Sequence, residues 1–163
     1  MKLSFILKNY FLTAFRELFV HHHGSLEFRA KIFALVIAAN QVVKVENYII
    51  VREMGLKIYD NDEDRVNLLM LTTKELVKKV MEDNALNIDT LVSHIQKELK
   101  IVPRYAKKIN VESLRPLLDL ANDKDTFAYQ ENILEFLQKL KDETLHNRKS
   151  QIALDEEQLK LKT

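Results

Sequence analysis

The stretch "SLRPLLDLANDKDTFAYQENILEFL", from Ser113 to Leu137, holds two leucine-rich segments separated by four polar residues, Asn122 to Asp125. Leucines at helical spacing on both sides predict two helices that each bury one face. Aspartate and asparagine favour the position before a helix because their side-chain oxygens accept backbone N–H groups. The polar segment is therefore predicted to be a corner that starts the second helix. A ligand site is the alternative.

A second stretch, "ALVIAANQVVKVENYIIVREM" from Ala34 to Met54, has the same arrangement. At an offset of 83 residues it aligns with 117–137, and matched positions have similar chemistry: Ala38 with Ala121, Asn40 with Asp123, Asn47 with Gln130, Ile50 with Ile133, Val51 with Leu134 and Met54 with Leu137. One helix pair cannot bury its own apolar face, whereas two pairs packed together can. The chain is therefore predicted to contain this helix–corner–helix unit twice.

Composition excludes several classes of site. The 163 residues are 47% apolar, which predicts one domain with a real core. Cysteine is absent, so disulfides, zinc–thiolate sites and cysteine nucleophiles are excluded, as expected in a reducing cytoplasm. Only two glycines occur, far apart, whereas a P-loop, a dinucleotide-binding turn or a nucleophile elbow needs closely spaced glycines. The net charge of +1 favours no nucleic-acid partner.

The whole chain reads as helix, and no stretch alternates strictly enough to favour a strand. Helices are predicted at about 3–20, 26–39, 45–58, 63–82, 88–99, after Ser113 and at 126–142. Gly24, Ser25, Asn87 and Ser113 are the predicted caps, and Pro103 and Pro116 mark a break and a first turn. Thr72 and Glu75 form a capping-box pattern that leaves the continuity of 63–82 open. The predicted fold is an all-α compact bundle of about seven helices.

Two of these helices carry sets of apolar residues. The range 45–58 carries Val45, Tyr48, Ile49 and Leu56, and the range 126–142 has Phe127, Ile133, Leu134, Leu137 and Leu140 on one face. Residues 1–143 are predicted to form a single domain, and 144–163 a polar C-terminal helix or tail.

The first predicted helix, 3–20, is apolar on more than one side and can be peripheral to the domain. Lys8, Arg16 and Glu17 interrupt it, which argues against a transmembrane helix. Its apolar residues at 3, 7, 10, 11, 14, 15 and 18 form one face, and others extend beyond it. A contiguous surface containing Phe5, Phe11, Phe15 and Phe19 is the predicted partner surface. The first expectation is that this helix contacts protein on both of its apolar surfaces, and the alternative is that one surface binds a membrane interface or a partner groove.

The repeated unit resembles the tellurite-resistance TerB family and its TerB-like relatives. The family signature is an apolar helix ending in Ala-Ala-Asp-Gly, a short hydrophobic link, and a Glu that opens the next helix. The resemblance covers about residues 26–142 and implies a compact helical bundle with an internal pseudo-twofold repeat. It also implies a role in tellurite or other stress resistance, in some members as a domain attached to membrane-anchored co-chaperones.

The family's acidic corners are linked to divalent metal binding, and their positions fall here on Asn40, Asn47, Asp123 and Gln130. Only Asp123 keeps the family residue. Asp123 and Asp125 are the candidate metal ligands, although Lys124 lies between them and hard cations prefer several oxygen ligands. The competing interpretation is a helix cap. No other cofactor is predicted.

Other polar segments favour surface roles. "DNDED", Asp60 to Asp64, lacks the glycine and the final glutamate of a calcium loop and is interpreted as an acidic helix start. The consecutive histidines 21–23 do not share a helical face, and His94 has no visible nucleophile partner. The run Arg104 to Lys108 could contact phosphate or anionic lipid, but a run this short is usually ordinary surface.

The functional prediction is a non-enzymatic, cytoplasmic TerB-like module that acts in stress response or protein interaction. The first alternative is a divalent-metal sensor that uses the corner around Asp123. The second alternative is a domain on a membrane surface, or one associated with a co-chaperone.

Overall fold

A computed structural model describes residues 24–82 and 86–162. These residues form six α-helices and two 3₁₀ helices, with no strand among them. The α-helices are α1 (Gly24–Ala38), α2 (Val45–Ile58), α3 (Glu63–Glu82), α4 (Ile88–Ile101), α5 (Val111–Leu114) and α6 (Lys124–Leu161). The first 3₁₀ helix, Pro103–Lys108, follows α4, and the second, Arg115–Leu120, follows α5. The predicted all-α fold is confirmed.

Helix α1 lies at the centre of the bundle. Its second half, from Ile32 to Ala38, is apolar on every side, and ten of its fifteen residues are buried. It packs against α3, α4, the first 3₁₀ helix and α6. A helix that is hydrophobic all round must be enclosed by others, and α1 organises the core for that reason.

Helices α2 and α3 pack through a narrow stripe. The buried residues of α2 are Asn47, Val51 and Gly55, at i, i+4 and i+8. A side-chain carbon at Gly55 would lie 3.2 Å from atoms of both Leu69 and Val66, so only glycine allows this approach without a shift.

The apolar residues of 45–58 do not form one buried face. Val45 and Ile49 are exposed, at 73% and 50%, because the helix turns its small and polar stripe, not its branched residues, toward α3.

Several predicted ends of helices are confirmed. Asn87 starts α4 by accepting a hydrogen bond from the Thr90 N–H at 2.7 Å. Asp62 accepts from the Arg65 N–H at 3.2 Å, so the acidic segment starts α3 as predicted. Helix α3 continues through Thr72 without interruption, and α4 ends just before Pro103. These ends depend on neighbouring residues only, which makes them predictable from sequence.

The predicted caps at Gly24 and Ser25 are wrong. Both residues belong to the first turn of α1. The Tyr105 hydroxyl lies 2.7 Å from the place that a side-chain carbon of Gly24 would occupy. The glycine thus makes room for a tyrosine from the first 3₁₀ helix.

The predicted cap at Ser113 is also wrong. Asn110 caps the short helix α5, with its side-chain oxygen accepting from the Ser113 N–H at 3.3 Å. The Ser113 hydroxyl donates back to the Asn110 carbonyl at 2.7 Å. Pro116 lacks the N–H that α5 would need to continue, and the chain changes there to the second 3₁₀ helix.

Helix α6 is longer than predicted and runs for 38 residues without a break. Its first half packs in the core through Thr126, Gln130, Ile133, Leu134 and Leu137, and residues 149–161 are all exposed. The polar C-terminal segment is therefore helix. Phe127, predicted to be on the buried face, is 39% exposed because the core side of α6 is set by Thr126 and Gln130. No helix in the described parts of the chain is long and apolar enough to cross a membrane.

Candidate functional site

Two of the family-motif positions connect the two corners of the chain. The Asn40 side-chain amide donates to the Leu120 carbonyl at 2.9 Å, across 80 residues of sequence. The Gln130 side-chain amide donates to the Val36 carbonyl at 2.9 Å, across 94 residues. Both carbonyls lie near the end of a helix, where no backbone N–H of the same helix is available. Asn40, in the first corner, thus caps the end of the second 3₁₀ helix. Gln130, in the helix that follows the second corner, caps the end of α1.

A third motif position, Asn47, is buried in the same way but bonds locally. Its amide donates to the Lys44 carbonyl at 3.1 Å, one turn before it at the start of α2. Asn40, Asn47 and Gln130 are all 0% exposed. We call these three side chains the buried amide set. Their position inside the fold, and not at its surface, favours a structural role for them.

The oxygen atoms of the buried amide set have no hydrogen-bond partner among the described residues. A buried acceptor that lost its water on folding and gained no donor carries a desolvation penalty of about 1–3 kcal/mol. The set is therefore a place where small chemical changes have large effects on stability.

The fourth motif position, Asp123, is exposed and caps α6. Its carboxylate accepts from the Thr126 N–H at 2.7 Å. The backbone and side-chain hydrogen bonds of Thr126 lower the pKa of Asp123, because they favour the charged form. Asp125 is exposed in the first turn of α6, where its charge complements the positive end of the helix. The structure thus agrees with the corner interpretation of the opening stretch.

The metal hypothesis for Asp123 and Asp125 stays a prediction. Among residues 24–82 and 86–162, no group of three or more His, Cys, Asp or Glu side chains is placed to hold a metal ion. His94 is exposed on α4. The phenylalanines of the predicted partner surface, Phe5, Phe11, Phe15 and Phe19, and the histidines 21–23 lie outside the described residues.

A groove runs between α4, the start of the first 3₁₀ helix and the second half of α6. Its volume is about 550 Å³. Leu99, Pro103, Leu140 and Ile152 supply its apolar surface, and its other lining residues are polar or charged: Gln96, Lys100, Glu143, Thr144, Asn147, Arg148 and Gln151. Ile152 belongs to the exposed segment 149–161, which we call the α6 arm. Leu159 follows Ile152 by two helical turns on the same side of the arm and is 65% exposed.

A second surface is basic. Six cations from four elements lie around two neighbouring cavities: Arg29, Lys57, Arg104, Lys107, Lys108 and Arg148. We call this set the basic face. In the sequence, only the run Arg104 to Lys108 indicates this face. Folding brings Arg29, Lys57 and Arg148 next to that run.

Comparison of the chain with protein-family models, with curated proteins and with solved structures found no match. The TerB-like resemblance therefore rests on the residues quoted above, and any function must be argued from the surfaces of the molecule.

Proposed function

We propose that this chain is a non-enzymatic helical module that binds an amphipathic helix of a partner protein along the α6 arm and the adjoining groove. The observation that carries this proposal is the exposed apolar side of the arm. Ile152 and Leu159 lie on one side of the arm, two helical turns apart, and are 47% and 65% exposed.

An unsupported arm is unusual on physical grounds. Helices in proteins owe most of their stability to packing of an apolar face. The arm spans 13 residues, 149–161, and every one of them is exposed. A hydrogen bond from Gln151 to Asp155 at 2.9 Å supports the arm only locally. A partner helix packed on Ile152 and Leu159 would provide the missing apolar contacts.

The groove beside the arm forms the more buried part of the proposed binding surface. Leu99 on its floor is 2% exposed, while Leu140 and Pro103 are partly exposed in its lining. Amphipathic helices bind such grooves by inserting residues at i, i+3, i+4 and i+7. A helix lying in the groove would meet Ile152 where the groove opens onto the arm.

The resemblance of Ala34 to Met54 to the TerB-like unit supports stress response as the cellular context of this module. A strain without the chain is then expected to grow less well on tellurite than the parent strain. Unchanged growth would remove the stress-response part of the proposal and would leave the binding surface to be judged separately.

The binding surface is tested by site-specific photo-crosslinking in cells. A photoreactive phenylalanine analogue at Ile152 is expected to form an adduct with a distinct partner protein. The same analogue at Ser150, on the opposite side of the arm, is the matched control and is expected to form none. Adducts only to other copies of this chain, or equal adducts from both positions, would contradict the proposal.

Binding is then measured with the identified partner and the purified chain. Ile152→Glu combined with Leu159→Glu is expected to weaken binding at least about tenfold, because apolar contacts at the centre of an interface dominate its affinity. Ser150→Glu is expected to leave the affinity unchanged. Both variants should melt at the wild-type temperature, because the arm lies outside the core.

A further inference from the structure

The basic face combines six cations with two cavities that share a wall. The first cavity, of about 270 Å³, is bordered by Arg29, Lys57, Lys107 and Lys108. The second, of about 530 Å³, is bordered by Arg104, Lys107, Lys108 and Arg148, with Gly24, Ser25 and Tyr105 completing the lining. Lys107 and Lys108 belong to both cavities, so one bound group could contact cations on either side of them.

Carboxylates are missing from this surface. No described residue lining either cavity is an aspartate or a glutamate. Within residues 24–82 and 86–162, none of the six cations forms an ion pair, although six other cations of the same range do. The chain has 25 basic and 24 acidic residues, so this local excess is a product of folding and not of composition.

The like charges are close enough to affect each other. Burial lowers the pKa of Lys108, and the positive charges of Arg29 and Arg104 lower it further. Such a cluster is unfavourable by itself, and a bound anion would remove the repulsion. Cations that converge without counter-charges favour the binding of an anion.

The first cavity also has an apolar floor. Phe33 and Leu114 are 3% and 2% exposed, and Ile32 and Met54 lie beside them. An inorganic anion would contact the cations but not this apolar floor. A ligand with an anionic head and a short apolar body would contact both.

We propose that the basic face binds a phosphate monoester that carries an apolar group, with the phosphate held by Lys107, Lys108, Arg29 and Arg104 and the apolar group resting on Phe33 and Met54. A soluble phosphorylated metabolite and a lipid with a phosphomonoester head share this chemistry. Of the six cations only Arg148 also lines the groove beside the α6 arm, and the phosphate is held by four others, so this proposal does not depend on the partner helix.

The first test uses the purified chain and three probes: hexyl phosphate, inorganic phosphate and hexanol. Hexyl phosphate is expected to raise the melting temperature and to bind roughly tenfold more tightly than inorganic phosphate, because its chain adds apolar burial. Hexanol is expected to have no effect. An equal effect of hexanol and hexyl phosphate, or no effect of either phosphate, would overturn the proposal.

Variants separate binding from folding. Lys108→Gln and Arg104→Gln are each expected to weaken hexyl phosphate binding roughly tenfold, since hydrogen bonds to charged groups are strong. Their melting temperatures without ligand should be no lower than that of the wild type, because each removes a repelling charge. Lys149→Gln, an exposed lysine outside both cavities, is the matched control and should bind as the wild type does. Equal weakening by all three variants would refute a specific site.

Vesicle sedimentation identifies the source of the phosphate. Binding to phosphatidylcholine vesicles that contain phosphatidic acid, lost in Lys108→Gln, would support a lipid head as the ligand. Binding of hexyl phosphate without vesicle binding would support a soluble ligand. A single-stranded DNA oligonucleotide that binds more tightly than hexyl phosphate would overturn the proposal in favour of a nucleic-acid surface.

Discussion

Replacing Gln130 by glutamate tests the buried amide set most directly, because the change keeps the size of the side chain and removes its donor. The Gln130 amide donates to the Val36 carbonyl at 2.9 Å, and the side chain is 0% exposed. An ionised carboxylate there would face a carbonyl oxygen with no proton between the two acceptors. An uncompensated charge at a buried position costs about 3–5 kcal/mol.

The effect should depend on pH with a defined sign. Burial raises the pKa of a carboxyl group, so the folded variant holds a proton that the unfolded chain releases. The destabilisation is therefore small in acid, where both states are protonated, and grows as the pH rises above the unfolded value. Near pH 5 the protonated carboxyl can still donate to Val36, and the expected loss is about 1 kcal/mol. At pH 8 the loss should reach about 3–5 kcal/mol, a large part of the stability of a typical domain.

Urea denaturation of both proteins at the two pH values measures this difference. Gln151→Glu is the matched control, because it makes the same change on the exposed arm of α6. Its free energy of unfolding should follow that of the wild type within about 0.5 kcal/mol at each pH. If Gln130→Glu loses the same free energy at pH 5 and pH 8, then the carboxylate reaches water and the side chain is not buried as described.

Three further outcomes are expected. Gly55→Val should lower the free energy of unfolding by about 1–3 kcal/mol through overpacking, since a side-chain carbon there lies 3.2 Å from Leu69; wild-type stability in urea would contradict the close contact of α2 and α3. Ile133→Asp should unfold the protein, because it places an unpaired carboxylate at a position 7% exposed; an unchanged melting temperature would mean that another face of α6 is buried. Asp123→Asn should keep the cap but lose part of the acid sensitivity. Because the folded state lowers the pKa of Asp123, its charged form stabilises the fold above the ordinary pKa, and this stabilisation is lost as the pH falls through the folded pKa. Equal unfolding of the two proteins in acid would show that the Asp123 charge does not stabilise the fold.

The sequence by itself determined the helices and most of their ends. The predicted ranges 45–58 and 63–82 coincide with α2 and α3, and Asn87, Asp62 and Pro103 act where they were expected. These features depend on residues within one or two turns, so they follow from propensity, capping and proline geometry. The wrong cap at Ser113 is also a local matter, because the nearby Asn110 caps that helix instead.

Tertiary structure decided which surfaces face inward and which charges meet. Val45 and Ile49 look like core residues in the sequence, but the crossing of α2 over α3 at Gly55 turns them outward. The partners of Asn40 and Gln130 are 80 and 94 residues away, and no local pattern specifies them. Arg29, Lys57 and Arg148 join Arg104 to Lys108 only because four elements converge. Local sequence sets the backbone of each helix, whereas the burial of its side chains and the fields between its charges depend on how the helices pack.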